Sequence, residues 1–223
     1  MSWYKSIPKA ANILTVIAFI GLAIKASYLN QIPSPYIWMV NTGPIVEGVL
    51  CSIIASYIFF LFVVHIREES DRHTIAPYLD KHIARIIGEC NSQLGEISKA
   101  AGISLSFEIL TLQDVSAAFT QLSPYSNAPL LLAMPATYAN WLQYLEYHNQ
   151  RTKECIKRVL DQSRYLTAQQ IALLTAIDDC SHFHSIKLIQ FQKINNLNMA
   201  PFASLFFDYC NHCNELRIYY DNN

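Results

Sequence analysis

Two stretches decide the reading of this chain: Ala10–Leu29, AANILTVIAFIGLAIKASYL, and Ile45–Val64, IVEGVLCSIIASYIFFLFVV. In the first, Asn12 and Lys25 are the strongly polar members before its end; in the second, Glu47 is the single charge. A bilayer core roughly 30 Å thick takes about 20 mainly apolar residues in a helix, because no water is present there to satisfy free backbone groups. Both runs meet that requirement. A buried helix of a soluble core would carry a polar stripe at helical period, and neither run has one. A cleaved signal peptide is the other alternative, since Lys5 and Lys9 precede an apolar stretch. Ile24 and Lys25 interrupt the small-x-small site it would need before Ala26. The expectation is therefore two membrane spans, at about 10–29 and 45–64, in an N-terminal hairpin over residues 1–66.

Charge sets the orientation. Lys5 and Lys9 flank the first span, the connector from Ala26 to Pro44 has no Lys or Arg, and Arg67, Arg72, Lys81 and Arg85 follow the second. The positive-inside rule places both termini in the cytoplasm, here of a bacterial inner membrane whose lipid is the first partner. The connector QIPSPYIWMVNTGP carries Tyr36 and Trp38 for the outer headgroup layer. Its prolines discourage helix, and Gly43 and Pro44 mark the start of the second span.

Gly48, Ser52 and Ser56 recur every four residues on the second span, a small-residue face where another backbone can approach closely. Its plain use is to pack the two spans of one molecule, and its sharper use is to bring copies into a homo-oligomer. Glu47 reads first as an interfacial charge and second as part of a pore ring; Lys25, near a span end, snorkels toward the headgroups.

Residues 67–223 hold 13 of the 16 Lys and Arg and 16 of the 17 Asp and Glu, an acidic excess that argues against a dedicated nucleic-acid surface. This segment is long enough for its own core. Pro77 is expected to open a helix whose apolar stripe, Leu79, Ile83, Ile86, Cys90, Leu94 and Ile97, ends near Gly102 and packs on its own domain or on a second copy. Alternation from Ile103 to Ile109 reads as one short β-strand, or else as part of a helix. Thr111 and Asp114 begin a short helix to about Leu122, followed by a proline-broken loop, SPYSNAPLLLAMP. Pro135 suits the first turn of a long helix to about Arg164. Thr167 with Gln170 caps another to about Gln190, and a last one occupies 201–219. The fold class is mainly α: a two-helix transmembrane hairpin followed by a cytoplasmic helical bundle.

Chemistry is sparse. His182, Cys210 and Cys213 are the strongest zinc candidates, from CSHFH and CNHC, yet one CxxC is present and His182 and His184 lie on different sides of a regular helix. Reduced core cysteines are the preferred reading, with no metal and no cofactor. Asp178 and His182 form a better-oriented pair at four residues' spacing. No phosphate-cradling glycine loop, G-x-S-x-G elbow or H-E-x-x-H occurs, so no enzymatic activity is expected. Arg151, Lys153, Lys157 and Arg158, with Arg164, make a local basic cluster. A solvated helix face is the simpler reading, and a contact to a partner or to phosphates the sharper one. Trp141, Tyr144, Tyr147 and Tyr138 suit a core or protein interface.

This layout, with spans at 10–29 and 45–64, the short PSPYIWM connector and a helical domain from about 67, resembles the two-span membrane effectors of bacterial anti-phage defence systems, including those encoded beside retrons. The resemblance implies an internal domain held or triggered by a sensor complex, with spans that then assemble and breach the inner membrane. It implies as partners a reverse transcriptase and its RNA–DNA product, and Gly48, Ser52 and Ser56 as the assembly face. A membrane-tethered adaptor that recruits a cytoplasmic partner without permeabilising the bilayer is the competing expectation.

Overall fold

A computed structural model describes residues 9–32, 36–133, 137–189 and 194–222. The protein is mainly helical with one small two-stranded sheet. It divides into two compact units, 1–75 and 76–223.

In the first unit, α1 (Lys9–Ser27) is followed by a 3-10 turn (Leu29–Gln31), by α2 (Ile37–Phe59) and by a π-helical stretch (Phe60–His65) that leads into α3 (Ile66–Ala101). Two helices are long and apolar enough to cross a membrane, and 6% of each apolar window is buried. That figure separates them from the core helices of a soluble fold, whose apolar residues would be covered. The turns run opposite to the sequence expectation at Gly43 and Pro44, which lie inside α2 rather than at its start. An interior proline removes one backbone bond and typically costs about 3 kcal/mol. The helix nevertheless forms through it, since in apolar surroundings unwinding the preceding turns would leave more backbone groups unpaired than one proline does.

α1 and α2 pack along a stripe in which Ala11, Thr15, Ala18, Leu22 and Lys25 are covered on one side, Gly43, Leu50, Ile54 and Tyr57 on the other. Spacings of three and four give both stripes a heptad rhythm. At Gly21 a Cβ would lie 3.4 Å from Leu50 Cδ1 of α2.

α3 contains Pro77 instead of starting there, and the division between the units falls beside that proline. In the second unit the whole stripe expected on α3, Leu79, Ile83, Ile86, Cys90, Leu94 and Ile97, is buried within the unit. Gly102 ends the helix at φ 68°, a conformation that costs other residues strain. α4 (Leu112–Thr120) is capped by Thr111, whose side chain accepts from the Asp114 N–H. Then come β1 (Asn127–Ala133), β2 (Thr137–Asn140), α5 (Trp141–Leu160), α6 (Ala168–Asp178), α7 (Ser181–Ile189) and α8 (Ala203–Asp221), with 3-10 turns at Ser163–Tyr165 and Ala200–Phe202. Trp141, Tyr144, Phe119, Phe206 and Tyr209 are among the large side chains of the core.

Four expectations are corrected here. Residues 103–109 are not a strand: Ile103, Leu105 and Phe107 do turn inward, but among the described residues no ladder partner stands beside them. Ser98 takes that role, donating from Oγ to the Ile103 carbonyl at 2.7 Å and accepting from the Leu105 N–H at 3.2 Å. The strands lie instead in the segment expected to be loop. There β1 pairs antiparallel with β2 (Leu131 with Tyr138, Ala133 with Thr137), and Pro129 falls in the irregular stretch between Asn127 and Leu131 where its missing N–H does no harm. Helix α5 starts at Trp141, after an Asn140–Gln143 capping box, and ends at Leu160; Pro135 lies outside the described residues. The Thr167–Gln170 capping box is formed, but the helix it opens stops at Asp178, and Asp179 and Cys180 separate α6 from α7.

Replacing Ser98 by Ala removes both side-chain bonds to the 103–105 backbone and leaves the Ile103 N–H to Ser98 carbonyl bond in place. We expect a loss of about 1–2 kcal/mol in chemical denaturation of the full chain, whereas Ser104→Ala, on the outward-facing side, should leave stability within about 0.5 kcal/mol.

Candidate functional site: a polar-clamped helix pair

The α1–α2 pair carries a polar contact at each end of an otherwise apolar interface. Lys25, near the C-terminus of α1, donates from Nζ to Glu47 Oε2 at 2.6 Å and to the Gly43 carbonyl at 2.6 Å. The Lys25 side chain is 17% exposed and that of Glu47 51%. The lysine therefore turns back onto α2 instead of extending away from the helix pair. Toward the other end, Tyr57 Oη donates to Asn12 Oδ1. Sequence reading assigned Lys25 and Glu47 separate interfacial roles and gave Asn12 and Tyr57 none; the pairs are 22 and 45 residues apart, and only the register of the two helices joins them.

Gly48, Ser52 and Ser56 do not serve this interface. All three are exposed, nothing lies within 4 Å of a Cβ built at Gly48, and they occupy the side of α2 away from Leu50, Ile54 and Tyr57. At about 100° per residue, Ser56 lies some 200° around the helix from Ile54. The intramolecular use expected for this face is thus taken by the opposite one.

The basic cluster on α5 is largely neutralised by its own unit. Arg151 binds Glu89 at 2.8 Å and lies 5.4 Å over the Tyr147 ring; Arg158 pairs with Glu154; Lys153 sits 3.8 Å from Asp178 and 5.4 Å over Phe183. Lys157 makes no ion pair among the described residues. These partners point to a solvated, self-compensated helix face. Glu89 itself, which sequence reading overlooked, is the hub between α3 and α5: its buried carboxylate accepts from His148 Nδ1 at 2.6 Å and from Arg151, with Arg85 at 3.6 Å. The Arg85–Glu89 spacing was its only sequence signal.

The cysteine and histidine candidates are scattered through the core. His182 is fully buried, lies parallel to the Tyr209 ring at 5.4 Å, and has neither ring nitrogen hydrogen-bonded. Burial pushes its pKa down to about 3. Cys90 Sγ contacts Cys210 Sγ at 3.7 Å, and burial pushes the thiols of Cys90, Cys210 and Cys213 up, so all three are protonated. His184 points outward. Among the described residues no three of His, Cys, Asp and Glu are placed to hold a metal ion, which sets aside the His182, Cys210 and Cys213 grouping. The expected Asp178–His182 pair is also undone: the break at Asp179–Cys180 turns His182 inward and leaves Asp178 to Lys153.

Compared with known proteins, the chain matches no family model, no curated protein and no solved structure. What the fold defines is a class: a mainly helical protein with two helices long and apolar enough to cross a membrane.

His182 supplies a pH prediction. Its folded-state pKa lies below the unfolded value near 6.5, so as pH falls the unfolded chain takes up the proton first. The stability this gives is fully present above about pH 6.5 and is lost progressively between there and about pH 3. The loss is at most about 1.4 kcal/mol per pH unit. His182→Phe, which keeps the ring stack, should move the acid-unfolding midpoint to lower pH without lowering stability at pH 7. An acid-unfolding midpoint that does not move would contradict a buried neutral His182.

Proposed function

We propose that this chain is a membrane effector: α1 and α2 cross a bacterial inner membrane with both termini in the cytoplasm, copies assemble through Gly48, Ser52 and Ser56, and the assembly disrupts the bilayer. Residues 76–223 act as the regulator, held or triggered by a cytoplasmic sensor complex. The observation that carries this reading is the small-residue face of α2, which remains open after α1 has packed on the other side. In lipid, where apolar surface alone drives no association, small faces of this kind are where helices meet. Lys5, Lys9, Arg67 and Arg72 at the ends of the pair, and the uncharged connector, support the orientation. The Lys25–Glu47 pair fits the same setting, since charges on membrane helices are commonly paired with one another or with backbone carbonyls. By its resemblance to two-span anti-phage effectors, the sensor proposed is a reverse transcriptase with its RNA–DNA product. No enzymatic activity is proposed.

A tethered adaptor is the second reading, favoured by one observation: β1 and β2 expose Leu131, Leu132 and Tyr138, a surface on which a cytoplasmic partner can dock.

Expression of the full chain alone in bacteria, followed with a membrane-potential dye, separates the two. The effector reading expects depolarisation that falls to background in Ser52→Leu and Ser56→Leu variants accumulated to the same level. Wild-type protein that accumulates without its sensor and does not depolarise the cells supports the adaptor and contradicts an effector that its sensor holds inactive.

A further inference from the structure

We propose that the π-helical stretch Phe60–His65 is a register joint: slipping between π and α turns, it rotates α2 about its own axis against the first turns of α3, and so sets the direction in which Gly48, Ser52 and Ser56 face. The inference deepens the assembly reading above and rests on it.

Two independent features mark the wide turn. The Ile66 N–H bonds to the Leu61 carbonyl, five residues back instead of the four of an α-helix. The Phe60 and His65 rings stack at 6.2 Å with 22° between their planes. On an α-helix, side chains of one face are three or four residues apart, and residues five apart point about 140° away from each other. A turn closed five residues back brings them nearly into line. His65 is then 6% exposed, whereas Phe62 and Val63 are 68% and 48% exposed.

Helices generally leave α geometry at a proline, at a glycine or at a local insertion of this kind, and π turns within α-helices are frequently found at functional sites. No proline or glycine occurs from Val49 through Ala76, so nothing in the sequence of this stretch bars the α form, and the ring stack is what favours the π form. The stretch also lies where the apolar run gives way to Arg67, Glu68 and Glu69, a boundary at which water can serve a carbonyl while its partner changes. Passing six residues from π to α turns the preceding helix by about 100°. α1 turns with it, because Lys25 and Asn12 are bonded to α2. At the usual interaxial distance of packed helices, α1 swings around α2 by about 14 Å. Rotations of this kind at helix interfaces are a recurrent form of switching.

The test uses the full chain in lipid nanodiscs with Cys51 replaced by Ser, the other cysteines being buried. Spin labels are placed at Ile13→Cys on α1 and Glu68→Cys on α3, both exposed positions, and labelled chain is diluted with unlabelled chain so that distances within one molecule are read. The expected result is two distance populations. Deletion of Val63 removes the surplus residue of the wide turn without turning α2, and should leave one of them. Phe60→Ala, which breaks the stack and keeps the residue count, should lower the fraction of that same population at least three-fold. A single distance in the parent chain overturns the proposal, and so do two distances that Phe60→Ala leaves in the same ratio. Membrane-potential measurements on the same variants keep the two readings apart. One distance in a chain that depolarises cells overturns the joint and leaves the effector standing; two distances in a chain that never depolarises them support the joint and contradict the effector.

Discussion

The contact of Lys25 with Glu47 and with the Gly43 carbonyl is the one on which the pairing of the two long apolar helices depends. Two apolar helices in lipid gain nothing from hiding apolar surface, so their register must come from close packing and from polar groups that have no other partner. Lys25 has two acceptors on α2, and satisfying both fixes the translation of α1 against α2. Tyr57 and Asn12 repeat the constraint at the other end. Gly21 and Ala18 then let the backbones approach between the two clamps.

The clamps have a further consequence for the remaining surface. Because they commit the Gly43–Leu50–Ile54–Tyr57 side of α2 to α1, the small-residue side is left facing outward. The same logic runs through the second unit, where Glu89 of α3 collects Arg85 of its own helix and His148 and Arg151 of α5. In both units, polar residues that looked available in the sequence are used to join helices.

Much of this was legible beforehand. The two apolar runs, the α3 stripe, the Thr111 and Thr167 caps and the stop at Gly102 follow from periodicity and local hydrogen bonding, which need only neighbouring residues. What failed has a common cause. Local preference makes Pro44 and Pro77 helix starts, yet both sit within helices whose other backbone bonds outweigh one missing donor. The alternation at Ile103–Ile109 correctly gave the inward side of an extended segment, but it could not reveal that Ser98, not a second strand, holds that backbone. The β1–β2 hairpin was hidden by its prolines. Lys25 with Glu47 and Asn12 with Tyr57 depend on a register that no single stretch encodes, and His182 turns into the core because of a helix break that no glycine or proline announces.

The most direct test of the account is the coupling energy between Lys25 and Glu47, from a double-mutant cycle of Lys25→Met and Glu47→Gln. It is read as the unfolding free energy of the full chain in mixed micelles titrated with a denaturing detergent. A polar-clamped pair predicts a favourable coupling of about 1–2 kcal/mol, at the upper end of what side-chain pairs between membrane helices give. A coupling indistinguishable from zero would contradict the account, because α1 and α2 would then owe their register to something other than this contact.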